Sequence, residues 1–466
     1  MQLKIVQLTP GAGEMYCGNC LRDNALVADW IRLGHDVCMV PLYLPLTLDE
    51  PDQSENVPVF FGGVNVFLGH KIPWLWRFVP KSLRRLLDSR PFLKSLGRRV
   101  SKTNPAEVGA LTVSMLQGER GRQLKDLQEL TAWVQKEQKP DVLSFSNALL
   151  LGMHHRLRQA TGAKTVCFLT GDDTFLDTLS EPYREQAWDL VRAHVSQVDL
   201  LIAPSRYYAN LMTERLKLPQ QRIQVVYNGI NTDGFTDDLV AETQRPPTLG
   251  FFARMCTAKG LDVLVDAFIE IRKRGKLPSL QLKIGGNLNT WNEPLVQLLK
   301  RKLQTAGLLQ DTGFHPNVDR AEKIRFLRSV DVLSIPAVAN EPFGFYAVEA
   351  LAAGVPVVLP AKSAFPELVE KSGGGILYSP DDRSALVETL EQLFADESQR
   401  RFLSMTGRKN ALEFFSVNGQ ISHFLVVALS GDCLPVLSIN HSIFGAIQAA
   451  QLATRHLLHE VPWHFL

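Results

Sequence analysis

The clearest indication of the architecture is the segment Glu341-Pro-Phe-Gly-Phe-Tyr-Ala-Val-Glu-Ala-Leu-Ala-Ala-Gly-Val-Pro-Val-Val358. A short apolar run, Asp331–Ile335, precedes it and has the length of a buried strand. Residues 343–353 are rich in helix formers, and Gly354 stands where a helix C-terminal cap is expected. Val355–Leu359 is a second apolar run. This order of strand, loop, helix and strand predicts two parallel strands that are connected by a helix.

The same alternation of short apolar runs and helix-period segments continues on both sides of this segment. Such a pattern indicates an α/β protein whose parallel sheets are covered by helices. The polar, aperiodic segment 237–247 predicts a linker, so we expect an N-terminal domain over residues 1–241 and a C-terminal domain over residues 242–418. The further predicted strands are Leu3–Leu8, Val37–Val40, Asp141–Phe145, Thr165–Leu169, Asp199–Ala203, Leu249–Ala253 and Leu280–Ile284.

Length and composition agree with two ordinary domains. The chain has 466 residues, of which 45% are hydrophobic and 21% are charged, and its net charge of +2 argues against a nucleic-acid partner. Lys4 interrupts the first apolar run, so the N-terminus predicts a strand and not a secretory signal. The chain has no apolar stretch long enough to span a bilayer. Its six cysteines are scattered, as in proteins of a reducing compartment, so we expect a cytoplasmic protein.

Two segments differ from the rest of the chain. Residues 71–104 contain ten Lys or Arg residues, with Trp and Leu residues between them, and a single acid, Asp88. This composition favours peripheral contact with an anionic membrane at its inner face over the alternative of a solvated insertion. Residues 419–466 form an apolar tail with only three charged residues, and the pattern assigns no definite packing to it.

Polar groups gather at the carboxyl end of the predicted strand 331–335. Glu341 lies at the start of the predicted helix and Glu349 lies within it. Helical side chains lean toward the helix N-terminus, so both carboxylates are expected to face the same sheet edge. The free N–H groups of Phe343, Gly344 and Phe345 point to that edge as well. Carboxylate acceptors beside backbone donors suit a ligand with many hydroxyl groups.

A second group of residues predicts an anion site. Arg254 and Lys259 lie between the predicted strand 249–253 and a helix that begins at Leu261. Two cations beside a helix N-terminus favour phosphate, which Arg binds with two N–H groups and Lys binds as a point charge. Gly18 belongs to a Gly-rich loop after the first strand, and that loop is by itself a weak signal for phosphate.

These motifs together resemble the retaining glycosyltransferases of the GT-B architecture and the GT4-like family. The resemblance extends over roughly residues 3–415. Its specific part is the pair Glu341 and Glu349, with seven residues between them. It implies two facing Rossmann-like domains with a cleft between them. The other matching motifs are Gly34-His-Asp-Val37, Ala203-Pro-Ser-Arg206, Val226-Tyr-Asn-Gly-Ile230, Arg254 with Lys259-Gly260, and Phe365-Pro-Glu367.

The resemblance implies a nucleotide-sugar donor such as a UDP- or GDP-sugar, and it implies that no metal or other cofactor is needed. Glu349 would bind the ribose hydroxyls. Glu341 and the backbone of Phe343, Gly344 and Phe345 would hold the transferred sugar. Two further roles complete the set: Arg254 and Lys259 would bind the diphosphate, and the Gly18 loop would close over the donor and the acceptor.

The chain departs from the family pattern near the reacting sugar. Many relatives carry a histidine in the region where this chain has Thr170-Gly-Asp-Asp173. Asp172 and Asp173 are the candidates to replace that histidine, and Asp172 is the one assigned as a catalytic residue. His315, in Thr312-Gly-Phe-His-Pro316, is a candidate for the base pocket, with a plain loop histidine as the alternative.

The expected function is therefore transfer of a sugar to an acceptor that the sequence does not identify. The acceptor classes left open are a glycan, a lipid and a small molecule. Two alternatives use the same fold: a nucleotide-sugar epimerase, and a non-catalytic protein that binds nucleotide sugars.

Overall fold

The computed structural model describes residues 2–11, 18–46, 48–55, 57–61, 105–219, 221–236, 245–382, 384–417 and 420. The basic segment 71–104, most of the predicted linker and all of the apolar tail except Gln420 lie outside the described residues. The predictions for those segments therefore stay predictions.

The first half of the chain contains a six-stranded parallel sheet with the order β2-β1-β3-β4-β5-β6. Its strands are apolar and largely buried, as expected for a sheet covered on both faces. The strands are β1 (Lys4–Thr9), β2 (Asp36–Pro41), β3 (Val142–Phe145), β4 (Lys164–Phe168), β5 (Leu200–Ala203) and β6 (Ile223–Val225). The α-helices formed by the described residues of this half are α1 (Gly18–Arg32), α2 (Pro105–Leu116), α3 (Leu124–Trp133), α4 (His154–Thr161), α5 (Asp172–Leu176), α6 (Tyr183–Val195) and α7 (Arg206–Leu216).

The second half contains another six-stranded parallel sheet, with the order β12-β11-β10-β7-β8-β9. Its strands are β7 (Thr248–Phe252), β8 (Gln281–Gly286), β9 (Thr312–Pro316), β10 (Val332–Ser334), β11 (Val357–Pro360) and β12 (Gly375–Tyr378). Its helices are α8 (Leu261–Arg274), α9 (Glu293–Thr305), α10 (Arg320–Arg328), α11 (Phe345–Ala352), α12 (Phe365–Ser372), α13 (Ala385–Ala395) and α14 (Glu397–Phe414).

The predicted α/β class with parallel sheets is confirmed, and each predicted strand occurs with its ends shifted by at most two residues. Two helix starts differ from the prediction. Helix α11 begins at Phe345 and not at residue 343, because Gly344 has a φ of +106° and no helical conformation. Helix α1 begins at Gly18, which the sequence placed in the preceding loop.

Each half has its own core, but the chain crosses between the halves near their ends. Ile230 and Phe235 precede the predicted boundary at residue 241, yet both pack in the core of the second half. Val417 follows α14 and packs against the first half. The backbone N–H of Ile230 donates to Phe415, and that of Val417 donates to Ile230. These crossings hold the two sheets side by side.

Contacts between the N-terminus of α7 and two segments of the second half, the loop before α11 and the start of α12, also join the halves. The Ser205 hydroxyl donates to the carbonyl of Pro342 at 2.7 Å. The Glu367 carboxylate accepts the backbone N–H groups of Arg206 and Tyr207, each at 2.9 Å. Glu367 therefore caps α7, a helix of the opposite half, and this contact fixes one side of the cleft between the sheets.

Candidate functional site

The order of strands places a ligand-binding crevice in each half. In the second sheet the chain runs outward from β7 to β8 and β9, and then returns to form β10 on the other side of β7. In the first sheet the same reversal lies between β1 and β3. Loops at the carboxyl ends of such neighbouring strands diverge and leave a crevice. The Lys259 loop follows β7, the Glu341 loop follows β10, and α1 follows β1.

These loops surround one cavity of about 520 Å³ that is lined by both halves. The structure brings most of the predicted site residues together here. The predicted residues on its wall are Gly18, Arg254, Lys259, Glu341, Phe343, Gly344, Phe345 and Glu349. Asp172 and His315 are not among the described residues that line it.

Two helix N-termini meet at this cavity. Gly344 caps α11 with a φ of +106°, and a Cβ atom there would lie 3.1 Å from Cε1 of Phe365. Gly18 begins α1 on the opposite wall, where a Cβ atom would lie 3.5 Å from the ring of Phe345. The first amides of a helix have no intrahelical acceptor and carry partial positive charge. The cavity therefore attracts an anion from both sides.

Glu341 and Lys259 form an ion pair on the wall of the second half. The Glu341 carboxylate is 8% exposed, and the Lys259 ammonium compensates its charge. The Lys259 ammonium also lies 5.3 Å from the centre of the Tyr346 ring. Arg254 is exposed and lines the same cavity. The cavity wall of the second half therefore offers one carboxylate and two cations together with the α11 N-terminus.

Glu349 lines the same cavity and takes part in a bridge across the cleft. The Lys323 ammonium donates to Oε1 of Glu349 and to Oδ2 of Asp49, each at 2.7 Å. Asp49 belongs to the first half and Lys323 to α10 of the second. Burial alone would lower the pKa of Lys323, but the two carboxylates outweigh burial and raise that pKa above its ordinary value. A neighbouring bridge joins Arg320 to Glu50 at 3.1 Å.

The sequence analysis did not identify these four bridging residues. Its only signals were the acidic pair Asp49-Glu50 and the spacing of Arg320 and Lys323, which puts them on one face of a helix. Neither signal says that the two pairs meet, because 270 or more residues separate the partners in the chain.

Asp172 occupies a structural position in the first half. Its carboxylate accepts the backbone N–H groups of Ala148 and Thr170, each at 2.9 Å. Burial raises the pKa of Asp172 to about 6, although these amide hydrogen bonds oppose the shift. The carboxylate is thus bound to the backbone and lies off the cavity wall. Thr170, two residues before it, lines the cavity, and the catalytic role of Asp172 stays a prediction.

His315 ends up on the surface of the second half. It lies near the end of β9, is exposed, and packs edge-on against Phe326 with 5.4 Å between ring centres. The structure therefore keeps His315 off the described cavity wall, and the proposed contact with a base stays a prediction.

The described residues contain no group of three or more His, Cys, Asp or Glu side chains that could hold a metal ion. None of the helices formed by described residues is long and apolar enough to cross a membrane.

Two family models match the chain and together cover well over half of it. The model described as "Glycosyl transferases group 1" matches residues 238–410, which include Arg254, Lys259, Glu341 and Glu349. The model described as "Glycosyltransferase Family 4" matches residues 98–233.

Similar curated proteins include a D-inositol 3-phosphate glycosyltransferase of Xylanimonas cellulosilytica. It is 29% identical over 233 residues, which are 47% of this chain and 54% of that protein. A mannosylfructose-phosphate synthase of Agrobacterium fabrum is 24% identical over 249 residues, which are 51% of this chain and 54% of that protein. The chain thus spans about half the length of these relatives.

Solved structures share the fold over nearly the whole chain. A sucrose-phosphate synthase of Thermosynechococcus elongatus has a TM-score of 0.64 at 18% identity, and covers 91% of this chain and 99% of its own. Anabaena HepE in complex with UDP and glucose has a TM-score of 0.59 at 17% identity, with the same two coverages. The fold of the present chain and both family matches agree with the motifs: the chain belongs to the GT4-like glycosyltransferases of the GT-B fold.

Proposed function

We propose that this protein transfers a sugar from a nucleotide-sugar donor to a hydroxyl group of an acceptor, with retention of the anomeric configuration. The observation that carries the proposal is the position of Glu341 and Glu349 in one cavity, on either side of the α11 N-terminus, with Lys259 and Arg254 beside Glu341. The site combines hydroxyl acceptors with cations and backbone donors for a diphosphate.

The donor is proposed to lie along the wall of the second half. The ribose hydroxyls donate to Glu349, which lines the same cavity as the phosphate cations and is held there by Lys323. The diphosphate lies at Arg254, Lys259 and the first amides of α11, where positive charge is concentrated. The sugar then extends to Glu341, which accepts hydrogen bonds from its hydroxyl groups. The names of the relatives and the UDP in HepE support a nucleotide-sugar donor.

In the proposed reaction the acceptor oxygen forms a bond to the anomeric carbon while the bond from that carbon to the phosphate oxygen breaks. The acceptor proton passes to the leaving phosphate oxygen, and attack from the same face retains the configuration. Negative charge increases on the diphosphate as the bond breaks. Lys259, Arg254 and the α11 amides stabilise that charge, so we propose that no metal ion is needed.

The location of the reaction is part of the proposal. We place it in the cytoplasm, with peripheral contact between residues 71–104 and the inner face of an anionic membrane. The ten Lys and Arg residues of that segment support the contact. Co-sedimentation with vesicles that contain or lack anionic lipid tests it.

A screen of nucleotide sugars for slow donor hydrolysis tests the activity without knowledge of the acceptor. We expect hydrolysis of at least one UDP- or GDP-sugar in the presence of a metal chelator, and near-complete loss in Glu341→Gln. Glu270→Gln is the matched control, because Glu270 is exposed on α8 and pairs only with Arg274 among the contacts described. Full activity of folded Glu341→Gln would remove the assigned role. An epimerised sugar without transfer, or nucleotide binding without turnover, would replace the proposed function by one of the two alternatives.

A further inference from the structure

We infer that Lys323 is a positioning residue for nucleotide recognition, which holds the Glu349 carboxylate for the ribose and draws Asp49 of the opposite half onto the same site. This inference rests on the proposed function, because it assigns the ribose to Glu349. Nothing in the family resemblance or the motif pattern pointed to Lys323.

The first step is the geometry of the three residues. Lys323 donates to Glu349 and Asp49 at 2.7 Å each, and all three side chains line the cavity. The side chains of Lys323 and Asp49 are 8% and 7% exposed, and that of Glu349 is 16% exposed. An ion pair this deeply buried has a defined geometry, unlike an exposed pair that exchanges with water.

The second step is that the contact with Lys323 occupies one oxygen of the Glu349 carboxylate and leaves the other available to a ligand. The contacts given by the described residues engage Oε1 of Glu349, and Oε2 remains for a hydroxyl group of a ligand. A carboxylate accepts several hydrogen bonds, so the ammonium and two ribose hydroxyls fit on it together. The ammonium also holds the largely buried carboxylate in place, and hydrogen bonds to a charged acceptor are stronger than those to a neutral one.

The third step is the charge balance across the cleft. A buried ammonium needs compensating charge, and two carboxylates supply it here. One of them, Asp49, belongs to the first half. Opening the cleft would separate Lys323 from Asp49 and leave the ammonium with Glu349 alone. The same ammonium therefore links the orientation of Glu349 to the closed arrangement of the two halves.

A purely structural role for the bridge gives a different expectation, and the chain offers a matched comparison. Arg320 lies one helical turn from Lys323 and binds Glu50 across the same cleft, but it makes no described contact with Glu349. If the bridges only hold the halves together, the loss of either bridge weakens the binding of all nucleotides to the same extent. If Lys323 positions Glu349, the loss of Lys323 selectively weakens the binding of ligands that carry the ribose hydroxyls.

The experiment compares UDP with 2′-deoxy-UDP, and GDP with 2′-deoxy-GDP, by titration calorimetry on the full chain. We expect the wild type to prefer the ribonucleotide of at least one pair by about tenfold or more, the strength of one hydrogen bond to a charged group. Lys323→Met should lose that preference. Lys323→Arg should recover part of it, and Arg320→Met should retain it.

Each outcome separates the two proposals. Lys323→Met that folds, binds nucleotide and keeps the full preference would overturn the inference and leave the proposed function standing. A wild type that binds none of the four nucleotides would overturn the proposed function and the inference with it. If Lys323→Met does not fold, Asp49→Ala decides: removing one of the two carboxylates that fix the ammonium should lower the preference by about threefold. An unchanged preference in Asp49→Ala would then overturn the inference.

Discussion

At the scale of single residues, Lys259 has Glu341 as its ion-pair partner in the structure, and the donor diphosphate as a second partner in the proposed complex. In the structure its ammonium compensates the buried Glu341 carboxylate. In the proposed complex the same ammonium faces the donor diphosphate, which brings two further negative charges to the cavity. Arg254 is exposed beside it and has room to take part of that charge. We therefore propose that the two cations, in place of a metal ion, balance the charge of a diphosphate that lies next to a carboxylate.

Asp172 provides a prediction at the residue scale. Its pKa is raised from 3.8 to about 6 by burial, so the folded state holds a proton that the unfolded state has already lost between these values. The contribution of Asp172 to stability is therefore largest at low pH and is lost as the pH rises from about 4 to 6. The Asn side chain of Asp172→Asn does not titrate. Relative to this variant, the free energy of unfolding of the wild type should fall by up to about 3 kcal/mol as the pH rises across this window.

Urea unfolding of both proteins at pH 4.5 and pH 7 measures this difference. Comparing the two proteins at each pH cancels the titration of all the other groups. A difference between wild type and Asp172→Asn that does not change with pH would show that the carboxyl has an ordinary pKa. Donor hydrolysis by the same variant reports separately on the catalytic role that the sequence analysis predicted for Asp172.

At the scale of elements, the start of α11 depends on one glycine. Gly344 has a φ of +106°, and a Cβ atom there would lie 3.1 Å from Phe365. Gly344→Ala should lower the stability by about 1–3 kcal/mol through backbone strain and crowding, and should weaken nucleotide binding because the α11 amides shift.

Gly162→Ala is the control for this variant. Gly162 has a similar positive φ of +71° at the end of α4, but no atom lies within 4 Å of the position of its Cβ. It therefore measures backbone strain alone, far from the cavity. Thermal unfolding and nucleotide titration of both variants separate the two effects. Nucleotide affinity that falls equally in both variants, or in neither, would contradict the role of the α11 start.

The same scale shows why the sequence predicted elements better than their ends. Buried parallel strands are continuous apolar runs, so β7 and β10 are visible in the sequence alone. Helix α11 begins two residues later than predicted because helix propensity does not report the φ of Gly344. The site residues near these ends, Glu341 and Lys259, were predictable because a motif fixes their distance from a strand.

At the scale of the whole molecule, the residues that the sequence analysis missed are those whose partners lie in the opposite half. Lys323 meets Asp49 only because two separately folded sheets face each other, and no local pattern contains that information. The backbone amides that bind the Asp172 carboxylate likewise come from two segments that only the tertiary fold brings together. Contacts between halves are therefore where sequence reasoning is weakest.

Glu367 allows the coupling of the halves to be measured. Its carboxylate accepts two backbone amides of α7 and the hydroxyl of Tyr227 at 3.0 Å, and it is buried on the second half. Glu367→Ala removes these hydrogen bonds from the interface, at a cost of about 2 kcal/mol, while the core of each half stays intact. Two units unfold in a single transition only when the free energy of their interface exceeds the difference between their own free energies of unfolding. We therefore expect thermal unfolding to broaden or split into two transitions in this variant.

Asp396→Ala is the matched change, because Asp396 caps α14 through Gln399 within the second half. It should lower the unfolding temperature without altering the width of the transition. A nucleoside diphosphate that binds the closed cleft should restore a single transition in Glu367→Ala, since a ligand held by both halves stabilises their contact. A single transition is restored only if the nucleotide contacts both halves, that is, if Gly18 of the first half and Glu349 of the second belong to one binding site. If the ligand instead raises only one of two separate transitions, the nucleotide is held by one half, and the facing α1 N-terminus has no part in binding it.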